Sequence, residues 1–271
     1  MLAPYDVSPV LDLPAGPCLA PDTRACSSLD LESASVRQVL AWAIGEYGSS
    51  LAIGTSFQHE GMVILDMAAR ISSDVRVFTL DTGRLPDETY QMIETVRERY
   101  GISIEMVSPD PEEVHAMVAQ HGPNLFYRDV PQRLLCCHVR KNRPLERKLA
   151  ELCAQVVGLR RDQTKARTRI KKVDFSSTPV KISPLADWTR QQVDEYTREH
   201  RVPQHPLYAQ GYTSIGCGPC TRAVAPGESE RDGRWWWEKQ TEKECGLHFS
   251  AGHEAQKKAD VLLSEILSAR V

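Results

Sequence analysis

The chain has no apolar run approaching the roughly 18 residues that a membrane span needs. It has no basic excess either. Lys and Arg number 33 against 36 Asp and Glu, for a net charge of −3, which argues against a broad nucleic-acid surface. No basic residue precedes Arg24, and Pro4, Pro9, Pro14, Pro17 and Pro21 break up the apolar stretches around them. An export signal needs a basic start and an unbroken apolar segment, so the expectation is a cytoplasmic chain. No internal repeat is visible, and no low-complexity tract beyond the N-terminal stretch. The 271 residues are enough to bury a sizeable core without staples.

The eight cysteines therefore need another account: Cys18, Cys26, Cys136, Cys137, Cys153, Cys217, Cys220 and Cys245. In a cytosolic chain of this size, metal binding or catalysis outranks disulfides. Cys136-Cys137 and Cys217-Gly218-Pro219-Cys220 form two ligand pairs. A C-x-x-C serves zinc, iron–sulfur and redox sites alike. The adjacent pair is more telling. Neighbouring side chains diverge, so both on one zinc would strain the backbone, whereas a [4Fe–4S] cube offers separate irons. Buried free thiols are the plain alternative, but the CHVRKNR and GCGPCTR surroundings look too polar for a core. Cys153 follows Leu149, Ala150 and Leu152 in a helical pattern and reads as packing. Cys18 and Cys26 receive no role.

Cys245 lies in Lys243-Glu244-Cys245-Gly246-Leu247-His248, where Lys243 and His248 favour the nucleophilic thiolate. The plain alternative is an incidental surface cysteine.

Periodicity predicts helices over 33–47, 62–71, 86–100 and 188–201, and strands over 51–55, 75–80, 102–107 and 155–159. Strands alternating with helices imply βαβ units and a parallel sheet. Ligands in such sheets lie beyond the carboxyl ends of the strands. That points to the turns after Thr55, after Leu80 and at Arg160-Arg161-Asp162-Gln163. Residues 251–270 read as an exposed amphipathic helix, with Val261, Leu262, Ile266 and Leu267 on one face.

Taken in order, these segments resemble the assimilatory sulfonucleotide reductases, and among them the adenosine 5′-phosphosulfate (adenylyl-sulfate) reductases. The resemblance rests on Thr55-Ser56-Phe57, Leu80 to Leu85 (LDTGRL), Phe126-Tyr127-Arg128, Cys136-Cys137 with Arg140-Lys141, and Gly158 to Gln163 (GLRRDQ). It continues through Ser214 to Arg222 (SIGCGPCTR), Gly233 to Glu238 (GRWWWE) and Glu244 to His248 (ECGLH). It implies an adenine-nucleotide α-hydrolase-like fold, α/β and doubly wound with a mainly parallel sheet and a mobile C-terminal segment. The implied division is a flexible tail over 1–30, a nucleotide- and cluster-binding domain over 31–225, a catalytic segment over 226–250 and a helical extension over 251–271.

The implied reaction is reduction of adenosine 5′-phosphosulfate to sulfite and AMP, with Cys245 as nucleophile and thioredoxin or a glutaredoxin-like dithiol protein as reductant. Cys136, Cys137, Cys217 and Cys220 would ligate a [4Fe–4S] cluster of structural and electrostatic role. Lys141, Arg231 and Arg234, with Arg160, would contact the phosphosulfate. Adenosine would lie against the backbone near Thr55, Ser56, Leu80 and Gly158. The Thr55 and Ser56 hydroxyls with the Phe57 amide would bind a phosphate at a helix N-terminus, and His248 would hydrogen-bond the departing or incoming anion. Read without the motif, Arg231 and Arg234 are a solvated charge run, Lys141 a helix-surface partner, His248 a surface histidine and the three tryptophans packing. Three departures stand out: the nucleotide loop reads Thr-Ser-Phe-Gln-His-Glu-Gly, Arg167 and Arg169 compete for one arginine position, and the chain continues past Cys245. Rival readings are reduction of the 3′-phosphorylated nucleotide, a tRNA-thiolating enzyme of the same fold and a zinc-stabilised binding module. The tRNA enzyme would need an SGGxDS loop and a basic RNA surface. A homo-oligomer stays open.

Overall fold

A computed structural model describes residues 29–164, 167–238 and 253–268. Six strands form one sheet in the order β3-β2-β1-β4-β6-β5. They are β1 (Leu51–Gly54), β2 (Val77–Leu80), β3 (Ile104–Val107), β4 (Ala154–Val156), β5 (Val173–Asp174) and β6 (Val180–Ile182). Every pair is parallel except β5 with β6. This is the expected mainly parallel α/β sheet.

Alternation along the strands splits the core. Leu51, Ile53 and Val77 point to a face covered by α1 (Val36–Tyr47), α2 (His59–Ala69), α3 (Asp87–Tyr100) and α7 (Arg190–Glu199). Ala52 and Phe78 point to the other face, where Leu145 and Leu149 of α6 (Arg143–Leu149) pack. Two of the helix boundaries have clear local causes. Ser35 and Gln38 form a reciprocal capping box at α1, and Gly101 (φ 68°) ends α3 in the left-handed conformation that glycine adopts without strain.

A second apolar cluster lies apart from the sheet. It joins α4 (Pro111–His121), α5 (Val130–Cys137) and α8 (His253–Ser268) to Cys136, Cys217, Cys220 and Trp235. The helix over 251–270 is therefore not an exposed one: Ala259 and Ile266 are buried, with Leu262 and Leu263 half-buried beside them. Positions 259, 262, 263 and 266 make one stripe at helical spacing, while Val261 faces solvent at 59% exposure.

Other boundaries differ modestly. α2 begins at His59 rather than Met62, because Phe57 takes a positive φ of 55° and turns the chain early. β4 stops at Val156 rather than 159. Cys153 follows the end of α6 at Leu149 and leads into β4, its N–H bonded to the Ser50 carbonyl, so it is not part of a helical pattern. Among the described residues, no helix is long and apolar enough to cross a membrane.

Candidate active site

The strand order β2-β1-β4 brings the carboxyl ends of three strands to one rim. β1 is followed through α2 by β2 on one side and has β4 on the other, so the rim is the switch point where such sheets bind ligands. Leu80 ends β2, Thr55 and Ser56 follow β1, and Gly158 follows β4. The approach there is close. A Cβ on Gly158 would lie 2.9 Å from Glu60 Cβ and 3.1 Å from the Gly61 nitrogen.

Within the turn after β1, Thr55 is buried and its Oγ1 accepts the Phe57 N–H at 3.0 Å. Ser56 is exposed. Gln58 donates from Nε2 to Ser56 Oγ at 2.8 Å, and its Oε1 accepts the Ile215 N–H at 2.9 Å. His59 stacks on Tyr208 with ring centroids 3.8 Å apart. Burial, and then the charge of Arg190, lowers the His59 pKa to about 4, so it is neutral.

Arg160 is buried at the same rim, and its guanidinium is engaged by Glu60 at 2.9 Å and by Asp162. Gln163 bonds Glu60, and Arg167 donates to Gln163 Oε1 at 2.5 Å. Arg169 is exposed.

Beside the rim lies a cavity lined by Cys136, Cys137, Cys217 and Cys220 together with Arg84, Arg133, Arg140, Lys141, Arg234 and Trp235. All four cysteines are buried and uncrosslinked. The polar surroundings of these cysteines thus coexist with burial, because the cations form the wall. Burial, reinforced by Cys137 and Cys217, pushes the Cys136 thiol up to about 12, and burial with the neighbouring thiols raises Cys220 as well. Thr82 Oγ1 stands 3.2 Å from Cys217 Sγ. Among the described residues, no three His, Cys, Asp or Glu side chains converge as one single metal ion would require.

A π-helical turn over His138–Asn142 follows α5 and sets Lys141 in the cavity wall. Such one-turn insertions recur at functional sites. Arg234 is buried, its guanidinium 4.6 Å from the Trp235 ring, and it passes so close to Gly216 that any Cβ there would overlap it. Arg231 is half-buried in the turn whose carbonyl accepts the Arg234 N–H, and it does not line the cavity. Trp235 is buried as packing, whereas Trp236 remains 39% exposed. Among the bonds that tie the strand-end turns to the cavity are Ile215 N–H to Gln58, and Gly218 N–H to the Arg84 carbonyl at 2.8 Å. Cys18, Cys26, Cys245 and His248 lie outside the described residues.

The phosphoadenosine phosphosulfate reductase domain model matches residues 50–223, a span that holds both the rim and the four paired cysteines. The chain belongs to this family. It is 44% identical over 237 residues to an adenosine 5′-phosphosulfate reductase of Allochromatium vinosum, covering 86% of this chain and 89% of that one. A Burkholderia cepacia protein of the same name is 46% identical, covering 76% and 84%. Among solved structures, a Candida auris phosphoadenylyl-sulfate reductase in complex with phosphate shares 28% identity at a TM-score of 0.60, over 72% of this chain and 93% of that one. The family shares the fold inferred from the alternating strands and helices.

Several residues of the site escaped the sequence reading. Arg133 is buried, lies 4.7 Å from the Trp235 ring and pairs with Glu238, 105 residues away, at 2.5 Å. No local signal marks such a pair. Arg140, whose Nη1 donates to the Thr82 carbonyl at 2.7 Å, and Glu60 were visible only as members of motifs.

Proposed function

We propose that this chain reduces adenosine 5′-phosphosulfate to sulfite and AMP. The observation that carries the reading is the adjacency of two sites: a nucleotide rim at the ends of β2, β1 and β4, and a four-cysteine cavity walled by Lys141 and Arg234. The named relatives at 44–46% identity support the substrate. Thr55, Ser56, Phe57, Leu80 and Gly158 would take the adenylate, with Ser56 the exposed hydroxyl at the start of α2. Lys141, Arg231 and Arg234 would hold the phosphosulfate oxygens. Arg160, already bound to two carboxylates, would act by shaping the rim. Arg167 would fill the family's arginine position, because it joins the rim network through Gln163.

The chemistry assigned to Cys245 is nucleophilic substitution at sulfur. Its thiolate attacks the sulfate sulfur, the bond from that sulfur to the bridging oxygen breaks, and AMP leaves with the electron pair, giving S-sulfocysteine. A thiolate of thioredoxin or a similar dithiol protein then attacks the Cys245 sulfur and expels sulfite. The second thiol of that protein resolves the mixed disulfide and returns Cys245 as a thiol. Two thiols thus supply both electrons. His248 would hydrogen-bond a departing anion. Such thiol chemistry belongs in a reducing compartment, consistent with the cytoplasm.

Cys136, Cys137, Cys217 and Cys220 would hold a [4Fe–4S] cluster. Three features of the cavity fit that group. The donors are all sulfur, adjacent Cys136 and Cys137 suit separate irons, and buried unpartnered donors stand in the wall at Arg140 Nε, Arg234 Nε and Trp235 Nε1. Bound there, the cluster would supply fixed charge and a covalent tie between α5 and the C-x-x-C loop, with no change of oxidation state. Lys141 and the arginines offset the thiolate charge from the cavity wall.

The test is sulfite release from adenosine 5′-phosphosulfate and from its 3′-phosphorylated form, each with thioredoxin, in wild type and Cys245→Ser. Release from the non-phosphorylated nucleotide that vanishes in the serine variant is expected. Equal activity of the two proteins would end the covalent mechanism, and turnover of the 3′-phosphorylated form alone would reassign the substrate.

A further inference from the structure

Gln58 occupies a departure in the nucleotide loop, and its hydrogen bonds determine more than its own position. The Ile215 backbone N–H can only donate, so the Gln58 atom facing it at 2.9 Å is the amide oxygen. The amide NH₂ must then be the group facing Ser56 Oγ at 2.8 Å. An NH₂ has no lone pair to offer, so Ser56 accepts from Gln58 and cannot donate to it. Ser56 is exposed, at the entry to α2 and beside the close approach of Gly158 to Glu60 and Gly61. Its own proton is therefore turned away from Gln58, which keeps it available to a ligand at the rim.

We propose that Gln58 is a positioning residue that presets the Ser56 hydroxyl as a hydrogen-bond donor to the nucleotide phosphate, using the Ile215 N–H as its fixed reference. This deepens the proposed function and rests on its assignment of the phosphate to the Ser56 turn. A serine free to rotate would spend part of its time presenting lone pairs to an anion. With Gln58 donating to it, the hydroxyl is preorganised before the nucleotide arrives. The reference is well chosen, because Ile215 lies two residues before Cys217 in a loop also bonded through Gly218 to the Arg84 carbonyl. Thr55 is buried, with its oxygen accepting the Phe57 N–H, which leaves Ser56 as the exposed hydroxyl of this turn.

The experiment measures affinity for AMP and for adenosine by calorimetry on the full chain. The proteins are wild type, Ser56→Ala, Gln58→Leu, Gln58→Glu and Ser56→Ala/Gln58→Leu. Ser56→Ala and Gln58→Leu are each expected to weaken AMP binding about ten-fold, the scale of one hydrogen bond to a charged group. The double variant should match Ser56→Ala alone, because Gln58 acts only through that hydroxyl. Gln58→Glu keeps an acceptor for Ile215 N–H but also accepts from Ser56, turning the proton inward. It should weaken AMP at least as much as the leucine variant, and it guards against loop disruption in that variant. Adenosine, which lacks the phosphate, should bind all five proteins alike, an outcome that a merely structural defect would not give. If Ser56→Ala weakens AMP while the Gln58 variants bind it like wild type, or if the two losses add, the inference is overturned and the phosphate assignment stands. If Ser56→Ala binds AMP like wild type, the assignment beneath the inference fails, and the inference with it.

Discussion

Lys141 owes its place in the cavity wall to the π-helical turn after Cys137, and it is a cation beside the thiols. Lys141→Ala is expected to lower kcat/KM for adenosine 5′-phosphosulfate by roughly 100-fold, the scale of one charge-stabilising group. Steady-state kinetics with retained iron content checks this. Cys136→Ser should remove the visible absorbance of the anaerobic protein while leaving the far-ultraviolet spectrum of the sheet intact. His59 offers a pH test. Its folded pKa, about 4, lies below the ordinary 6.5, so between those values the unfolded chain binds the extra proton. Stability from this group is complete above pH 6.5 and is lost as pH falls toward 4. Wild type should therefore lose about 2 kcal/mol more than His59→Gln between pH 7 and 5 in urea titrations. At this scale the cysteine pairs were legible, because C-C and C-x-x-C are local patterns with few chemical uses. The Arg133–Glu238 pair was not, because its partners meet only through the fold.

At the scale of elements, α5 is a short helix that ends in two of the cysteines and is backed by α8. Isolated helices of that length are marginal in water, so its order depends on packing. Ile266 is fully buried against this cluster. Ile266→Ala is expected to cost about 2–4 kcal/mol in denaturant unfolding, and hydrogen exchange should show the loss of protection in α5 and α4 rather than in β1 and β2. A second junction centres on Asp66. Burial would raise its pKa, but hydrogen bonds from Arg70, Tyr196 and Tyr100 outweigh it and hold the carboxyl below its usual range. Asp66 so ties α2 to α3 and α7. The helix at the chain's end was legible as a helix but not as a packed one. Its apolar stripe was misplaced by including Val261, since periodicity marks a face without naming what covers it.

Over the whole molecule, the first half was readable because strand, helix and strand alternate up to Val107, with Gly48 ending α1 and Gly101 ending α3. Beyond it, α4, α5 and α6 follow one another with no strand between them, so the alternation that signals a parallel sheet disappears. The short β5 and β6 lack enough residues for a period of two to show. The result is a mainly parallel sheet joined to a cysteine-bearing helical flank, with bonds from the C-x-x-C loop to Gln58, Arg84 and Thr82 across the junction. The central claim is that Cys245 takes the sulfonate group from the nucleotide. The most direct measurement is a single turnover of the anaerobic protein with ³⁵S-labelled adenosine 5′-phosphosulfate and no reductant, followed by peptide mapping. The account predicts one label per chain, on the peptide holding Cys245, released as sulfite when thioredoxin is added. AMP formation with no label on that peptide would contradict it.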